Sequence, residues 1–188
     1  MNEQGDMTEV EVASLGLDRS SNTPVVILRE AGGQRLLPIW IGPGEASAIA
    51  MELAGIKFAR PLTHDLMNTV VRGLGSQLVR VLITKVVDNT YYASLIFRQN
   101  GQTVAIDSRP SDSVALALRA SAPIYAEDSL LEATSLQVDE ADFEDEFSAS
   151  EWSPEEGSAP EDVEEEKKEH LRDYLKRLNP EDFGRFIP

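Results

Sequence analysis

A run of polar side chains precedes an apolar segment near residue 110, in the sequence DSRPSDSVALAL. Asp107, Arg109, Ser111 and Asp112 bring together two carboxylates, a guanidinium and a hydroxyl. An arginine fork binds a phosphate through paired hydrogen bonds, and a carboxylate can orient a water or hold a divalent cation. The run is therefore a candidate anion site in which Arg109 and Ser111 contact the substrate.

The same residues also have a purely structural interpretation. Pro110 fixes the entry to a helix, Ser111 can cap its exposed N–H groups, and Asp112 interacts with the helix dipole by ~0.3–1 kcal/mol. Arg109 would then form an internal ion pair with Asp107 or Asp112. The residues alone leave both interpretations open.

His64 and Asp65 form the second candidate group. Histidine can act as a general base near neutral pH, with a carboxylate orienting it. Adjacent residues on a helix do not face each other, however, and Asp65 suits the first turn of a helix that starts at Thr63. A structural role for both residues is the alternative, and a catalytic role requires the fold to bring His64 near Arg109.

Composition limits the chemistry further. The 188 residues include no cysteine, which excludes disulfides, thiolate metal sites and cysteine nucleophiles. No zinc-protease, P-loop or dinucleotide motif occurs, so any metal would depend on scattered carboxylates. The first residues lack the pattern of a signal peptide, and no apolar run approaches ~20 residues. We therefore expect a cytoplasmic protein without a membrane span.

The net charge of −16 is unevenly distributed. Residues 139–188 hold 18 acidic and 6 basic side chains, whereas residues 1–138 hold 15 and 11. The chain has no basic cluster, which counts against tight, salt-sensitive binding to nucleic acid and leaves only transient contact by a few arginines.

The charge pattern divides the chain into a body and a tail. Residues 8–138 form the predicted domain, and residues 139–166, rich in Asp, Glu, Ser and Pro, are predicted to be a disordered linker. In residues 167–188, Leu171, Tyr174, Leu175 and Leu178 share one face of a predicted amphipathic helix, which Asn179 and Pro180 end.

The body contains an internal duplication, in which three strands are followed by a helix twice over. Gly33 aligns with Gly101 at an offset of 68 residues, and Pro43 aligns with Pro110 at an offset of 67. The predicted strands cover residues 9–17, 24–31, 34–42, 78–87, 90–99 and 102–109, and the repeated helices cover 44–55 and 111–122. A further helix, in residues 61–75, separates the copies.

Such repeats determine the architecture. Strands joined by hairpins give an antiparallel sheet, so we predict an α+β fold with helices packed against a mostly antiparallel sheet. A closed, barrel-like sheet with pseudo-twofold symmetry is one form of this fold. Duplicated units of this kind are also expected to dimerise.

The chain resembles the bifunctional nuclease domain family of bacterial and plant proteins over about residues 8–135. The resemblance is carried by the segments LPIWIG, RPLTHDL, YYASLIF and SRPSDSVALAL and by their order and spacing. It implies DNase and RNase activity, as reported for plant members, and a compact homodimer or larger assembly. The positions that lie in family motifs are His64, Asp65, Asp107, Arg109, Ser111 and Asp112, with Glu45 as a weaker addition.

Two functional hypotheses follow. In the first, the protein is a nuclease in which Arg109 clamps the phosphate and His64 transfers a proton. Asp107 or Asp112 would hold Mg²⁺ or Mn²⁺, or orient a water. In the second, the protein is a non-catalytic oligomeric module, and its polar run at residues 107–112 binds a small anion or a protein partner.

Overall fold

The computed structural model describes residues 6–18, 21–135 and 147–148. All of them belong to the first of two units of the chain, Met1–Trp152. The strands are β1 (Met7–Asp18), β2 (Thr23–Glu30), β3 (Leu36–Trp40), β4 (Ser76–Val87), β5 (Thr90–Gln99), β6 (Gln102–Ser108), β7 (Ile124–Glu127) and β8 (Phe147–Ser148). The helices are α1 (Pro43–Leu53), α2 (Thr63–Gly73), α3 (Pro110–Ala120) and α4 (Asp128–Ser135).

The predicted α+β class is confirmed, and the duplication is visible in the strand order β3-β2-β1-β7-β4-β5-β6. Each copy contributes three consecutive antiparallel strands, and β7 separates the copies. Strand β7 is antiparallel to β1 and parallel to β4. The first strands of the two copies therefore run in opposite directions, as a pseudo-twofold axis through the sheet requires.

Turn residues fix the hairpins of the second copy. Asp88 and Asn89 have φ values of 48° and 58°, and Asn100 and Gly101 have values of 50° and 79°. Positive φ at both residues of a two-residue loop is the type I′ arrangement that suits the right-handed twist of paired strands. The predicted turns between β4, β5 and β6 are therefore confirmed.

The sheet is open, so the barrel-like alternative is wrong in the described part of the chain. Strands β3 and β6 end the sheet order and do not pair with each other. One cleft is nevertheless lined both by the end of β3 and by the start of β5, so strands of the two copies lie close together there. Sequence reasoning also missed β7 and α4. The four residues of β7 are too few to show an alternating pattern.

The main apolar core lies between the sheet and the helices, and a smaller separate cluster contains Val25 and Ile27. Leu28, Ile83 and Leu95 of the sheet pack with Ile49 of α1 and Leu116 of α3. Helix α3 is largely buried: every residue from Pro110 to Ala117 except Asp112 is buried. This burial anchors the start of α3, where the polar run begins.

The helices of the two copies end in the same way. Beyond α1, the Gly55 N–H donates to the Glu52 carbonyl and the Ile56 N–H to the Met51 carbonyl. Beyond α3, Ser121 occupies the left-handed position with φ 52°, where α1 has Gly55 with φ 67°. The left-handed residue closes the last turn in both copies, and glycine adopts it at the lower cost.

The tail is described only in part. Phe147–Ser148, within the predicted linker, pair antiparallel with Leu17 and Asp18 of β1. The rest of the linker and the predicted terminal helix lie outside the described residues. Among the described helices, none combines the length and apolar character needed to cross a membrane.

Candidate functional site

The two repeated helices begin in the same geometry. Gly42 precedes α1 and Arg109 precedes α3, and both have extended backbones with φ near −75° (−76° and −72°). A proline follows each, since its fixed φ suits the first helical position. The third residue of each helix is acidic, Glu45 in α1 and Asp112 in α3. The strand-to-helix junctions are therefore structural equivalents, and only one of them carries an arginine.

Arg109 bridges these two equivalent acids. Its Nε donates to Asp112 Oδ2 at 2.7 Å, and its Nη2 lies 2.9 Å from Glu45 Oε1. The side chain remains 66% exposed. Hydrogen bonding to Asp112 raises the pKa of Arg109 above its ordinary value. The arginine is thus held on one edge by carboxylates while the rest of the guanidinium faces solvent.

Asp112 links Arg109 to His64. Its Oδ1 lies 3.2 Å from His64 Nε2, while Oδ2 accepts from Arg109. Burial by itself would raise the pKa of Asp112, but the hydrogen bonds and charges of Arg109 and His64 outweigh burial and hold that pKa below its usual range. Asp112 is consequently ionised at neutral pH and fixes its two partners.

The fold separates His64 from its neighbour in sequence. His64 is buried and faces α3, whereas Asp65 pairs with Arg119 and accepts a hydrogen bond from the Leu62 N–H at 3.0 Å. This agrees with the expectation that adjacent helical residues point in different directions. The pair that forms in the structure is His64 with Asp112, not His64 with Asp65.

Arg119 was missed by sequence reasoning. Its side chain is only 4% exposed, its Nε donates to Asp65 at 2.5 Å, and its Nη2 donates to the Ala48 carbonyl at 3.0 Å. Through these contacts Arg119 connects α1, α2 and α3. The available signal was a lone arginine in the alanine- and leucine-rich run VALALRASA, where a buried charge requires a partner.

Asp107 lies away from this cluster. It is opposite Ser94 in the β5–β6 register, whereas Leu95 and Ile106 face each other one position along. Leu95 belongs to the core, so the alternation of the strand places Asp107 on the face of the sheet opposite the core. The pairing of Arg109 with Asp112 is formed, and the alternative pairing with Asp107 is absent from the described contacts of Arg109.

Ser111 does not cap α3. The helix begins at Pro110 with Arg109 as its N-cap, and no side chain caps it. Ser111 is therefore the second helical residue, and it is 6% exposed. The predicted capping role is wrong because Pro110 starts the helix one residue earlier.

Ser111 instead lines a cleft of about 400 Å³ together with Arg109. The cleft contains the strand-to-helix junctions of both copies. It also contains two aromatic residues that sequence reasoning missed, Trp40 and Tyr91. Burial raises the pKa of the Tyr91 phenol above its ordinary value. The described lining residues are Thr23, Ile39, Trp40, Ile41, Gly42, Asn89, Thr90, Tyr91, Arg109, Pro110 and Ser111.

The arrangement suits the binding of an anion attached to an aromatic group. Arg109 and the hydroxyl of Ser111 can donate to an anion, while the rings of Trp40 and Tyr91 offer apolar surface. None of the described lining residues carries a carboxylate or an imidazole. In the described ranges, no three His, Asp or Glu side chains converge as a metal ion would need.

Fold and cleft together define a duplicated α+β domain with an arginine at the junction of its two copies. The chain belongs to the bifunctional nuclease domain family, whose sequence profile matches residues 26–139. It is 41% identical over 178 residues to the Mycobacterium tuberculosis protein named Uncharacterized protein Rv1829, covering 94% of this chain and 98% of that protein.

The similarity to plant proteins is more distant. Bifunctional nuclease 1 of Arabidopsis thaliana is 27% identical over 127 residues, which are 66% of this chain and 39% of the plant protein. Bifunctional nuclease 1 of Oryza sativa subsp. japonica is 27% identical over 110 residues, 57% of this chain and 33% of its own length. These matches support a nuclease function at the level of the family.

Proposed function

We propose that the protein is a nuclease that binds single-stranded DNA or RNA in the cleft beside Arg109 and hydrolyses a phosphodiester bond there. The observation that carries the proposal is the position of Arg109. Two carboxylates orient the guanidinium at the edge of a cleft that also contains aromatic side chains. The family relationship to plant proteins named bifunctional nuclease supports the reaction class.

Arg109 is the proposed phosphate ligand. Its Nε and Nη2 contact Asp112 and Glu45, and Nη1 makes no hydrogen bond to the residues that the structure describes. A phosphate oxygen can therefore accept from Nη1 without displacing either carboxylate. Because a pre-oriented donor costs no reorganisation during the reaction, Arg109 stabilises the negative charge that develops on the phosphoryl oxygens.

Trp40 and Tyr91 are the proposed platform for a nucleobase. Stacking on an aromatic ring needs an unpaired base, which favours a single strand over a duplex. Stacking is also tolerant of base identity and of the sugar, as expected for an enzyme that accepts both DNA and RNA. The acidic balance of the chain predicts weak, transient binding, because counterion release contributes little without a basic surface.

Asp112 and His64 act as positioning residues in this proposal. Asp112 holds Arg109, and His64 holds Asp112 through the second carboxylate oxygen. In the hydrolysis, a water oxygen attacks phosphorus, the ester P–O bond breaks, and the departing oxygen takes up a proton. His64 is 8% exposed and does not line the cleft, so the structure does not test the predicted proton transfer by His64.

A divalent cation also remains a prediction. Both oxygens of Asp112 are already engaged, and Asp107 lies on the opposite face of the sheet. The carboxylates of the described site thus do not form a metal-binding set. A comparison of Mg²⁺, Mn²⁺ and EDTA tests the requirement directly.

The experiment measures cleavage of end-labelled single-stranded DNA and RNA by the full chain and two variants. Arg109→Ala removes the proposed phosphate ligand, and Arg98→Ala is the matched control, because Arg98 is an exposed arginine of β5 that does not line the cleft. We expect a loss of at least about a hundredfold in rate for Arg109→Ala, as for other lost transition-state donors, and little change for Arg98→Ala. Equal rates in all three preparations would refute the assignment.

One observation favours the second candidate function, an anion-binding module without turnover. The described cleft offers donors and aromatic rings but neither a carboxylate nor an imidazole that could activate water. In that case Arg109→Ala weakens the binding of a labelled oligonucleotide, measured by fluorescence anisotropy, while no preparation cleaves it under any metal condition.

A further inference from the structure

Strand β6 is an exposed edge of the sheet. It ends the strand order, and every residue from Gln102 to Asp107 is exposed. Val104 and Ile106 are 40% and 48% exposed although they face Phe97 and Leu95, which are buried in the core. In the part of the chain that the structure describes, two apolar side chains on the core side of an edge strand are therefore uncovered.

The hairpin geometry shows which backbone groups of β6 are unpaired. Gln99 and Gln102 flank the two-residue turn and form its closing hydrogen-bonded pair, and hydrogen-bonded and non-hydrogen-bonded pairs alternate along an antiparallel ladder. Val104 and Ile106 consequently direct their N–H and C=O groups toward β5. Thr103, Ala105 and Asp107 are the residues that direct theirs outward.

The opposite edge of the sheet is blocked at the equivalent position. Pro38 of β3 lies opposite Ile27, as Ala105 of β6 lies opposite Ile96, and the two residues are 67 positions apart in the repeat. Proline has no N–H to donate, and it is one of the residues that protect edge strands from pairing. Strand β6 contains neither proline nor lysine, so its edge is open to a further strand.

We propose that β6 pairs antiparallel with β6 of a second copy of this chain, with the twofold axis at Ala105. In this register Ala105 faces Ala105 of the second copy, and Thr103 faces Asp107 on each side. These three pairs use the outward N–H and C=O groups, with two hydrogen bonds for each pair. The sheets of the two copies then form one continuous sheet.

The side chains of β6 are self-complementary in this register. On the core face, Val104 of each copy lies opposite Ile106 of the other, so the exposed apolar side chains cover each other. On the other face, the Thr103 hydroxyl can donate to the Asp107 carboxylate of the second copy. No like charges face each other, and a shift by one residue would set apolar side chains against polar ones.

The first test is the mass of the full chain in solution by sedimentation equilibrium, with Ala105→Pro as the main variant. This change copies Pro38 of the other repeat and removes only an outward N–H, so the pairing of β5 with β6 is retained. We expect a wild-type dimer and a dissociation constant raised at least about tenfold by Ala105→Pro, because it removes ladder hydrogen bonds and obstructs the edge. A monomeric wild type, or an Ala105→Pro chain that dimerises as the wild type does, overturns the proposal.

Amide hydrogen exchange on the wild type provides a readout that does not depend on any variant. In the dimer the amides of Thr103, Ala105 and Asp107 are expected to be protected as well as those of Val104 and Ile106. Dilution below the dissociation constant should restore fast exchange at the amides of Thr103, Ala105 and Asp107 alone. Fast exchange at these three positions in an otherwise dimeric protein would overturn the β6 pairing.

Two further variants test the interface without a backbone change and test the exposed face of α2 as an alternative contact surface. Ile106→Lys places a charge in the interface without changing the backbone and should also favour the monomer. Val70→Lys is the matched control, because Val70 is 49% exposed on α2, where Leu66 is also exposed and which the exposed Leu74 follows. A dimer lost with Val70→Lys and retained with Ile106→Lys would place the contact on α2 and refute the β6 interface.

Discussion

Removal of the buried Arg119 side chain should destabilise the domain strongly. Arg119 is 4% exposed and donates to Asp65, to the Ala48 carbonyl and to the Ala115 carbonyl. The substitution Arg119→Met keeps a long side chain while deleting the charge and all three donors. The change therefore tests the connection between α1, α2 and α3 and not the filling of space.

The magnitude follows from the groups that lose their partner. Breaking a buried ion pair from one side costs about 3–5 kcal/mol, because it leaves an uncompensated charge. The Asp65 side chain is 34% exposed, so water can partly replace the guanidinium, and the expected loss is near the lower end, ~3 kcal/mol. The Ala48 and Ala115 carbonyls lie within helices and already accept a backbone hydrogen bond, so the loss of the Arg119 donor adds little to the unfolding free energy lost. Arg119→Lys should lie between Arg119→Met and the wild type, because lysine keeps the charge and loses the planar fork.

The assay is urea denaturation followed by circular dichroism at pH 7, with Arg98→Met as the exposed control. A double-mutant cycle with Asp65→Asn isolates the pair, and we expect a coupling of at least ~1 kcal/mol. A loss below ~1 kcal/mol for Arg119→Met, or strict additivity with Asp65→Asn, would refute the reasoning.

The same pair gives a pH dependence. Burial alone would raise the pKa of Asp65, but the hydrogen bonds from Arg119 and the Leu62 N–H outweigh it and lower that pKa. A lowered folded-state pKa contributes stability above the unfolded value of about 3.9, and this stability disappears as the pH falls through the folded value. Unfolding free energies measured between pH 7 and pH 2 should therefore fall less in Asp65→Asn than in the wild type.

Three further changes give smaller and more local effects. Ser113→Ala should stabilise the fold by about 1 kcal/mol, because the fully buried Ser113 hydroxyl has no partner in the described structure and the equivalent residue of the first copy is alanine. Ser121→Gly should raise the unfolding free energy by about 1 kcal/mol, since glycine adopts φ 52° without strain. Both are measured by urea denaturation, and a loss of stability would contradict the respective argument. Gly42→Ala brings a Cβ against the Glu45 carboxylate, so the Arg109–Glu45 pair should loosen. Oligonucleotide binding should weaken several-fold while stability changes by less than ~1 kcal/mol, because φ at Gly42 is −76°; unchanged anisotropy titrations would indicate that Glu45 does not orient Arg109.

Local patterns in the sequence were sufficient to predict much of the fold. Alternating apolar residues and the turn pairs Asp88-Asn89 and Asn100-Gly101 predicted the strands of the second copy and their hairpins. The duplication placed α1 and α3 after equivalent strands, and Thr63 was correctly predicted as the start of α2. These features depend on hydrogen bonds and backbone preferences within a few residues, which a sequence expresses directly.

The tertiary structure alone decided how the candidate site is composed. His64 meets Asp112 across 48 positions, and Arg109 meets Glu45 across 64, because α1 and α2 pack against α3. Asp107, adjacent in sequence to the cluster, lies on the other face of the sheet because strand alternation is set by its register with β5. Contacts between distant elements arise from burial and pairing of whole surfaces. A motif can therefore identify which residues carry the chemistry, but only the packed fold determines which of them meet.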